Sequence, residues 1–359
     1  MGTRTIVPFG PQHPVLPEPI HLELVLEDER VVEAIPSIGF VHRGLEKLAE
    51  VRDVQQMTYV AERICGICSC IHGQGYCEGI ERLLGIEAPP RAAYLRVVWG
   101  EMSRIHSHLL WGGLLADAGG YESLFMHTWR VRERILDLVE AETGGRVIFG
   151  ANKIGGVRRD LTADGVKTLL KGLDSVQAEW EEIKPIYKTD GTVQRRLRGI
   201  GRLTKEQAMN LGAVGPTLRG SGVESDLRKK GYAAYGELSW SPVVEKDGDC
   251  FARMMVRVRE IDQSFDLIRQ ALAKLPEGPH DVKAMGQPKG EVFMRLEQPR
   301  GEVMYYLKGN GTKNLERFRV RTPTFANIPP LLHMVKDAQL ADVPQIVLTI
   351  DPCISCTER

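Results

Sequence analysis

Four of the chain's cysteines stand as two Cys-x-x-Cys pairs, Cys65/Cys68 and Cys353/Cys356, whose first members lie 288 residues apart. A Cys-x-x-Cys turn puts two thiolates close enough to share a metal, and two such turns brought together offer four sulfur ligands. Structural zinc, an iron–sulfur cluster and a redox dithiol all use such pairs, although a dithiol would leave the second pair without a task. Zinc staples usually join pairs about 15–20 residues apart, whereas these must meet across almost the whole sequence. Their surroundings are also unlike a zinc knuckle: Arg63-Ile64-Cys65-Gly66-Ile67-Cys68-Ser69-Cys70-Ile71-His72 at one end, Asp351-Pro352-Cys353-Ile354-Ser355-Cys356 at the other. His72 and Asp351 stand where they could orient the ligands and tune their basicity. Cys70, Cys77 and Cys250 belong to neither pair and read as small buried apolar residues. Because Cys356 is followed by only Thr357, Glu358 and Arg359, the tail itself is expected to be buried at the metal.

The elements that must carry these residues can be read from periodicity. Residues 20–35 alternate apolar and polar positions around Glu27-Asp28-Glu29-Arg30, the pattern of a β-hairpin. Residues 45–62, 70–84, 91–118, 122–143, 164–187 and 248–274 place apolar residues three or four apart, the spacing of helices. Thr204 and Gln207 form a capping-box pair opening a shorter helix. Residues 144–160 and 210–223 are Gly-rich and loop-like, and a second β-rich stretch spans about 290–307, turning at Pro299-Arg300-Gly301. A short helix is expected near 328–338. Sheet residues flank the helices at both ends, so the expectation is one α+β domain over residues 1–359, with a helix-rich core and small sheets.

Lys+Arg and Asp+Glu each number 47 in 359 residues, and the zero balance speaks against a sequence-independent nucleic-acid binder. The most apolar stretch, Leu109 to Gly120, is interrupted by Gly112, Gly113 and Asp117, short of the ~20 residues of a membrane span. The first residues lack an apolar core long enough for a signal peptide, so the default expectation is the cytoplasm.

The two cysteine motifs, Arg63-Ile64-Cys65-Gly66-Ile67-Cys68 with His72 and Asp351-Pro352-Cys353-Ile354-Ser355-Cys356, resemble the signatures of nickel-iron hydrogenase large subunits, and the resemblance covers essentially the whole chain. His42-Arg43-Gly44-Leu45-Glu46 resembles that family's upstream Arg-Gly-x-Glu motif, and Glu297-Gln298-Pro299-Arg300-Gly301 its Pro-Arg-Gly turn. Gly10-Pro11-Gln12-His13-Pro14, Ile154 to Asp160 (IGGVRRD) and Gly215 to Gly222 (GPTLRGSG) are similar to the quinone-site subunit of respiratory complex I, a relative that lacks the metal cysteines. Complex-I-like loops together with all four cysteines resemble the membrane-bound, energy-converting (Ech-type) hydrogenases.

The resemblance implies nickel held by Cys65, Cys68, Cys353 and Cys356, with Cys68 and Cys356 shared with an iron that carries carbon monoxide and cyanide. It implies reversible heterolytic cleavage of H2, with Cys353 as first proton acceptor and Glu18 as relay carboxylate. Arg300, next to Pro299, would overhang the open metal position, anchored by Asp351, and His72 either tunes a bridging sulfur or is a satisfied core histidine. Glu46 resembles the ligand of a magnesium or iron ion that pins the tail; with Arg359 where the family commonly has His, it either binds that ion or pairs with a cation such as Arg359. His13 is expected only to shape its loop. The implied partners are an iron–sulfur small subunit, a ferredoxin-like subunit or ferredoxin, and integral-membrane antiporter-like and anchor subunits, with the chain peripheral on the cytoplasmic face of the membrane. The competing readings are a quinone-reducing complex I subunit and an assembly subunit whose tetrathiolate holds structural zinc.

Overall fold

The computed structural model describes residues 4–359 and has an α+β architecture: a helical body with a small antiparallel sheet at each end of the chain. The N-terminal sheet pairs Arg4–Phe9, His21–Glu27 and Arg30–Ser37 in sequence order. The hairpin is the one the alternation predicts. The strand Arg4–Phe9 was not expected; it carries Pro8, which an edge strand tolerates because one flank needs no ladder hydrogen bonds.

The helix Pro90–Ala118 is the axis of the body, buried along most of its length, and it opens with Pro at its first position. Glu122–Thr143 and Cys250–Ala273 pack along it, and Ala163–Thr189 lies beyond them. The stretch 45–62 is two helices, Leu45–Val51 and Val54–Glu62, because Asp53 starts a new one by accepting from the amides of Gln55 (3.0 Å) and Gln56 (2.9 Å). The Thr204/Gln207 capping box is present at the start of Lys205–Asn210. The Gly-rich stretch 210–223 holds one short helix, Gly215–Arg219, that periodicity could not reveal. The helix expected near 328–338 begins earlier, at Pro323, and ends at Val335.

The C-terminal sheet pairs Lys289–Gln298, Gly301–Asn310 and Leu315–Arg321. Its first hairpin turns at Pro299-Arg300, closed by Gln298 opposite Gly301, whose φ of 127° suits glycine. That turn is driven into the body. Arg104 donates to the carbonyls of Glu297 (3.0 Å) and Gln298 (3.2 Å), and Arg219 pairs with the Glu297 carboxylate at 2.7 Å. Arg219 also meets Glu260 (2.7 Å), while Arg228 meets Glu101 (3.1 Å) and Asp226 (2.7 Å), all fully buried. Charges removed from water in this way are tolerable only when mutually paired and hydrogen-bonded. Here their geometry fixes the hairpin tip that carries Arg300. Among the described residues no helix is long and apolar enough to cross a membrane.

Candidate metal centre

The two cysteine turns, one at each end of the sequence, meet in the interior. Cys65 Sγ lies 3.3 Å from Cys353 Sγ, and Cys68 Sγ lies 3.3 Å from Cys356 Sγ, so each close pair takes one sulfur from each motif. The sulfurs of Cys65, Cys68 and Cys356 all lie within 4.8 Å of one another. All four are free thiols and no more than 2% exposed. Local backbone explains the first turn: Cys68 caps the helix Ser69–Leu84, and the amides of Ile67 (3.2 Å) and Cys68 (3.5 Å) point at Cys65 Sγ. On the second, Asp351 takes a positive φ of 57°, Cys353 N donates to Thr324 Oγ1 at 3.0 Å, and the short helix Ile354–Glu358 follows. The tail is buried there, as expected.

A cluster of four soft sulfur donors with no hard oxygen among them fits a thiophilic transition metal. Without metal the thiols are unequal. Hydrogen bonds from Cys353, Cys356 and Cys68 pull Cys65 well below the ordinary thiol range, whereas burial pushes Cys68 and Cys356 well above it. Binding a metal therefore has to release protons held at Cys68 and Cys356.

Arg300 is 2% exposed. Its Nη2 donates to Asp351 Oδ1 (2.7 Å), its Nε to the Asp351 carbonyl (2.9 Å) and its Nη1 to Ser107 Oγ (3.2 Å). Pro299 is buried beside it in the same turn. His72 is fully buried and bridges Cys356 Sγ (3.3 Å) to the Tyr305 hydroxyl (2.8 Å). Burial drives its pKa down to about 3, so the ring is neutral. A consistent assignment has Tyr305 donating to Nδ1 and Nε2–H donating to the sulfur.

Glu18, on the loop between the first two strands, reaches the second cysteine turn. Its carboxylate accepts from the amides of Ile354 and Ser355 (3.0 Å for Ser355) and from the Ser355 hydroxyl. Burial, then the nearby Cys353, raises its pKa above the ordinary carboxylate value. Ser355 Oγ in turn lies 3.6 Å from Cys353 Sγ. Glu46 is engaged by the protein: Oε1 accepts from Arg359 Nε (2.8 Å) and Val320 N (2.9 Å), and Oε2 lies 3.4 Å from Arg319. Of the two expected partners, the cation is therefore in place. His13 stacks on Phe9 with ring centroids 4.2 Å apart and accepts from Val15 N at 3.4 Å, a loop-shaping role. Cys70, Cys77 and Cys250 are buried and do not join the cluster.

Three participants escaped the sequence reading. Ser107 and Tyr305 sit mid-helix and mid-strand in regular patterns that conceal a polar task. Ser355 lies inside the Cys-x-x-Cys turn, a position from which its contact with Glu18 could have been suspected.

Comparison with known families places matches along the chain. The family described as the 49 Kd subunit of the respiratory-chain NADH dehydrogenase matches residues 117–286 and 281–359, and nickel-dependent hydrogenase matches residues 43–114. The carbon monoxide-induced hydrogenase of Rhodospirillum rubrum is 42% identical, covering 100% of both chains. The alpha subunit of the membrane-bound hydrogenase of Pyrococcus furiosus is 38% identical over 98% of this chain and 87% of its own. A subunit of the NADH-quinone oxidoreductase of Dehalococcoides mccartyi is 36% identical over 99% of this chain and 98% of its own.

Proposed function

Because the chain belongs to the family that joins nickel-dependent hydrogenase large subunits to the 49 Kd subunit of respiratory NADH dehydrogenase, we propose that it is the catalytic subunit of an energy-converting nickel-iron hydrogenase. It is an oxidoreductase subunit of the hydrogenase-related type; the proposal adds reversible H2 cleavage as its reaction. The observation that carries this reading is the meeting of four free, buried thiols, two from each end of the sequence. Cys65, Cys68, Cys353 and Cys356 would hold nickel, with Cys68 and Cys356 also holding an iron bearing carbon monoxide and cyanide. When bound, that centre supplies the heterolytic splitting of H2.

The protein's own residues then handle the proton and the charge. Cys353 Sγ takes the proton first, the Ser355 hydroxyl passes it on, and the Glu18 carboxylate receives it; the spacings of these groups support the order. Burial of Glu18 brings its proton affinity up toward that of its donor, which favours a reversible relay. Arg300 presents a fixed positive charge that does not titrate, and Asp351 and Ser107 hold its fork in one orientation. His72, oriented by Tyr305, donates to Cys356 and moderates the charge on that sulfur.

The remaining cysteines lie outside the cluster, so electrons would leave through an iron–sulfur small subunit and reach ferredoxin. We read residues 1–359 as a single domain of the large-subunit type. It would sit peripherally on the cytoplasmic face of a membrane, coupled to ion-translocating antiporter-like and anchor subunits. The name of the Pyrococcus relative supports the membrane association.

Elemental analysis of the matured native complex tests the proposal. Nickel near one per chain, with iron and with H2-dependent reduction of an artificial dye, is expected. Zinc without nickel would turn the four cysteines into a structural staple and overturn the catalytic reading.

A further inference from the structure

Arg43 is exposed, yet its guanidinium meets no carboxylate among the described residues. It donates instead to four backbone carbonyls: Nε to Val41 (3.3 Å), Nη1 to Arg63 (3.0 Å), and Nη2 to both Ile64 (2.7 Å) and Ser355 (3.0 Å). Arg63 and Ile64 lead directly into Cys65, and Ser355 immediately precedes Cys356. One planar group therefore ties the backbone entering the first cysteine turn to the backbone inside the second. The sulfurs it brings together are 288 residues apart in sequence and touch as cross-motif pairs at 3.3 Å.

The position of Arg43 is itself over-determined. Gly44, with a φ of 65°, starts the helix Leu45–Val51. Just before Arg43, Glu358 accepts from the amides of Gly39 and Val41, each at 2.5 Å, and its carbonyl meets His42 Nδ1 at 2.6 Å. Just after it, Glu46 holds Arg359. The loop 39–46 and the tail 355–359 thus grip each other on both sides of the arginine.

We propose that Arg43 is a positioning residue, a backbone clasp that sets the separation of the two cysteine turns and so the shape of the four-sulfur cluster. It touches no sulfur in the structure; it acts through the carbonyls next to Cys65 and Cys356. Only a rigid fork of donors can span carbonyls on both turns, and a lysine ammonium, a point charge on a flexible stem, cannot. The clasp itself is a matter of protein geometry. Its link to catalysis rests on the hydrogenase reading above.

Arg43→Ala and Arg43→Lys are to be prepared both as the native complex and as the metal-free full-length chain, and followed by amide hydrogen exchange and by metal loss to a chelator. In both variants and both forms the amides of residues 354–357 are expected to exchange at least about tenfold faster than wild type. The variant complexes should also lose nickel several-fold faster, and guanidinium ion added to Arg43→Ala should slow both processes again. Wild-type exchange at 354–357 in Arg43→Ala overturns the clasp, whatever metal the complex holds. Wild-type behaviour of Arg43→Lys overturns it as well, since charge alone would then suffice; this variant also carries the test if the alanine variant does not fold. Accelerated exchange in a complex found to hold zinc and no nickel supports the clasp while removing the hydrogenase reading.

Discussion

Arg300 and Asp351 are joined twice: Arg300 Nη2 donates to Asp351 Oδ1 at 2.7 Å, and Arg300 Nε donates to the Asp351 main-chain carbonyl at 2.9 Å. The second contact is available because Asp351 adopts a positive φ of 57°, a conformation that Asp tolerates better than most residues. Asp351, two residues upstream of Cys353, is therefore shaped to receive the hairpin tip at Pro299-Arg300. A buried charge pair of this kind is costly to break from one side, because the remaining charge is left without a partner.

Arg300→Lys should keep its metal but lose at least about 10²-fold in H2-dependent turnover, because one ammonium cannot reproduce the double contact with Asp351 together with the reach to Ser107. Turnover measured per bound nickel is the check. Wild-type turnover at wild-type metal content would remove Arg300 from the machinery.

Much of this site was legible because its chemistry is written in residue types that have few other uses at such spacing. Two Cys-x-x-Cys pairs point to a metal whatever the intervening fold, and Pro-Arg-Gly between alternating strands marks a turn. The buried network around Arg219, Glu260 and Arg228 was not legible, since those residues look like ordinary helix and loop charges until the chain is folded. Tyr305 occupies a regular inward position of a strand, where burial alone would explain it; only the fold shows its hydroxyl on His72. The split of 45–62 into two helices was hidden for a local reason, since Asp53 interrupts the backbone without interrupting the apolar spacing.

The relay predicts a pH dependence with a definite sign. Glu18 can accept a proton only when ionised, and its pKa is raised above 4.5 by burial and by Cys353. Hydrogen/deuterium exchange by the native complex should therefore fall off on the acid side at a pH above the ordinary carboxylate value. Glu18→Gln should abolish most of the exchange while leaving nickel in place. Ser355→Ala should slow exchange and move that acid limb to higher pH, since the variant loses both the connecting hydroxyl and the hydrogen bond that favours the ionised carboxylate. Exchange at the wild-type rate in Glu18→Gln would rule the relay out.

The Tyr305 hydroxyl serves a ring that is already neutral. Tyr305→Phe leaves His72 Nδ1 buried without a donor, a loss of about 1–3 kcal/mol. Because His72 titrates near 3, the ring's charge does not change at ordinary pH. The melting temperature of the metal-free chain should consequently drop by the same amount, about 1–4 °C, at pH 6 and at pH 8. A drop present at only one of these values would mean that the histidine is charged in the fold, and the assigned hydrogen-bond direction would be wrong.

Glu62 offers a stability test independent of any metal. It is 1% exposed, neither carboxylate oxygen has a hydrogen-bond partner among the described residues, and it packs against Gly73 on the helix that Cys68 caps. Burial raises its pKa to about 7, against the opposing pull of Arg158 and Arg63. A carboxyl whose folded pKa lies above its unfolded value of 4.5 favours the fold most when protonated, below pH 4.5. That advantage is lost progressively as pH rises to about 7, and above it the fold carries the cost of an ionised buried group. The full span, from below pH 4.5 to above pH 7, is worth about 3 kcal/mol. Glu62→Gln keeps the shape and removes the titration. It should stabilise the chain at pH 8 relative to wild type, and the advantage should shrink toward zero as the pH falls to about 4.5, as denaturant unfolding at several pH values would record. Equal stability of the two proteins at pH 8 would show that Glu62 finds a partner in solution and is not an isolated buried acid.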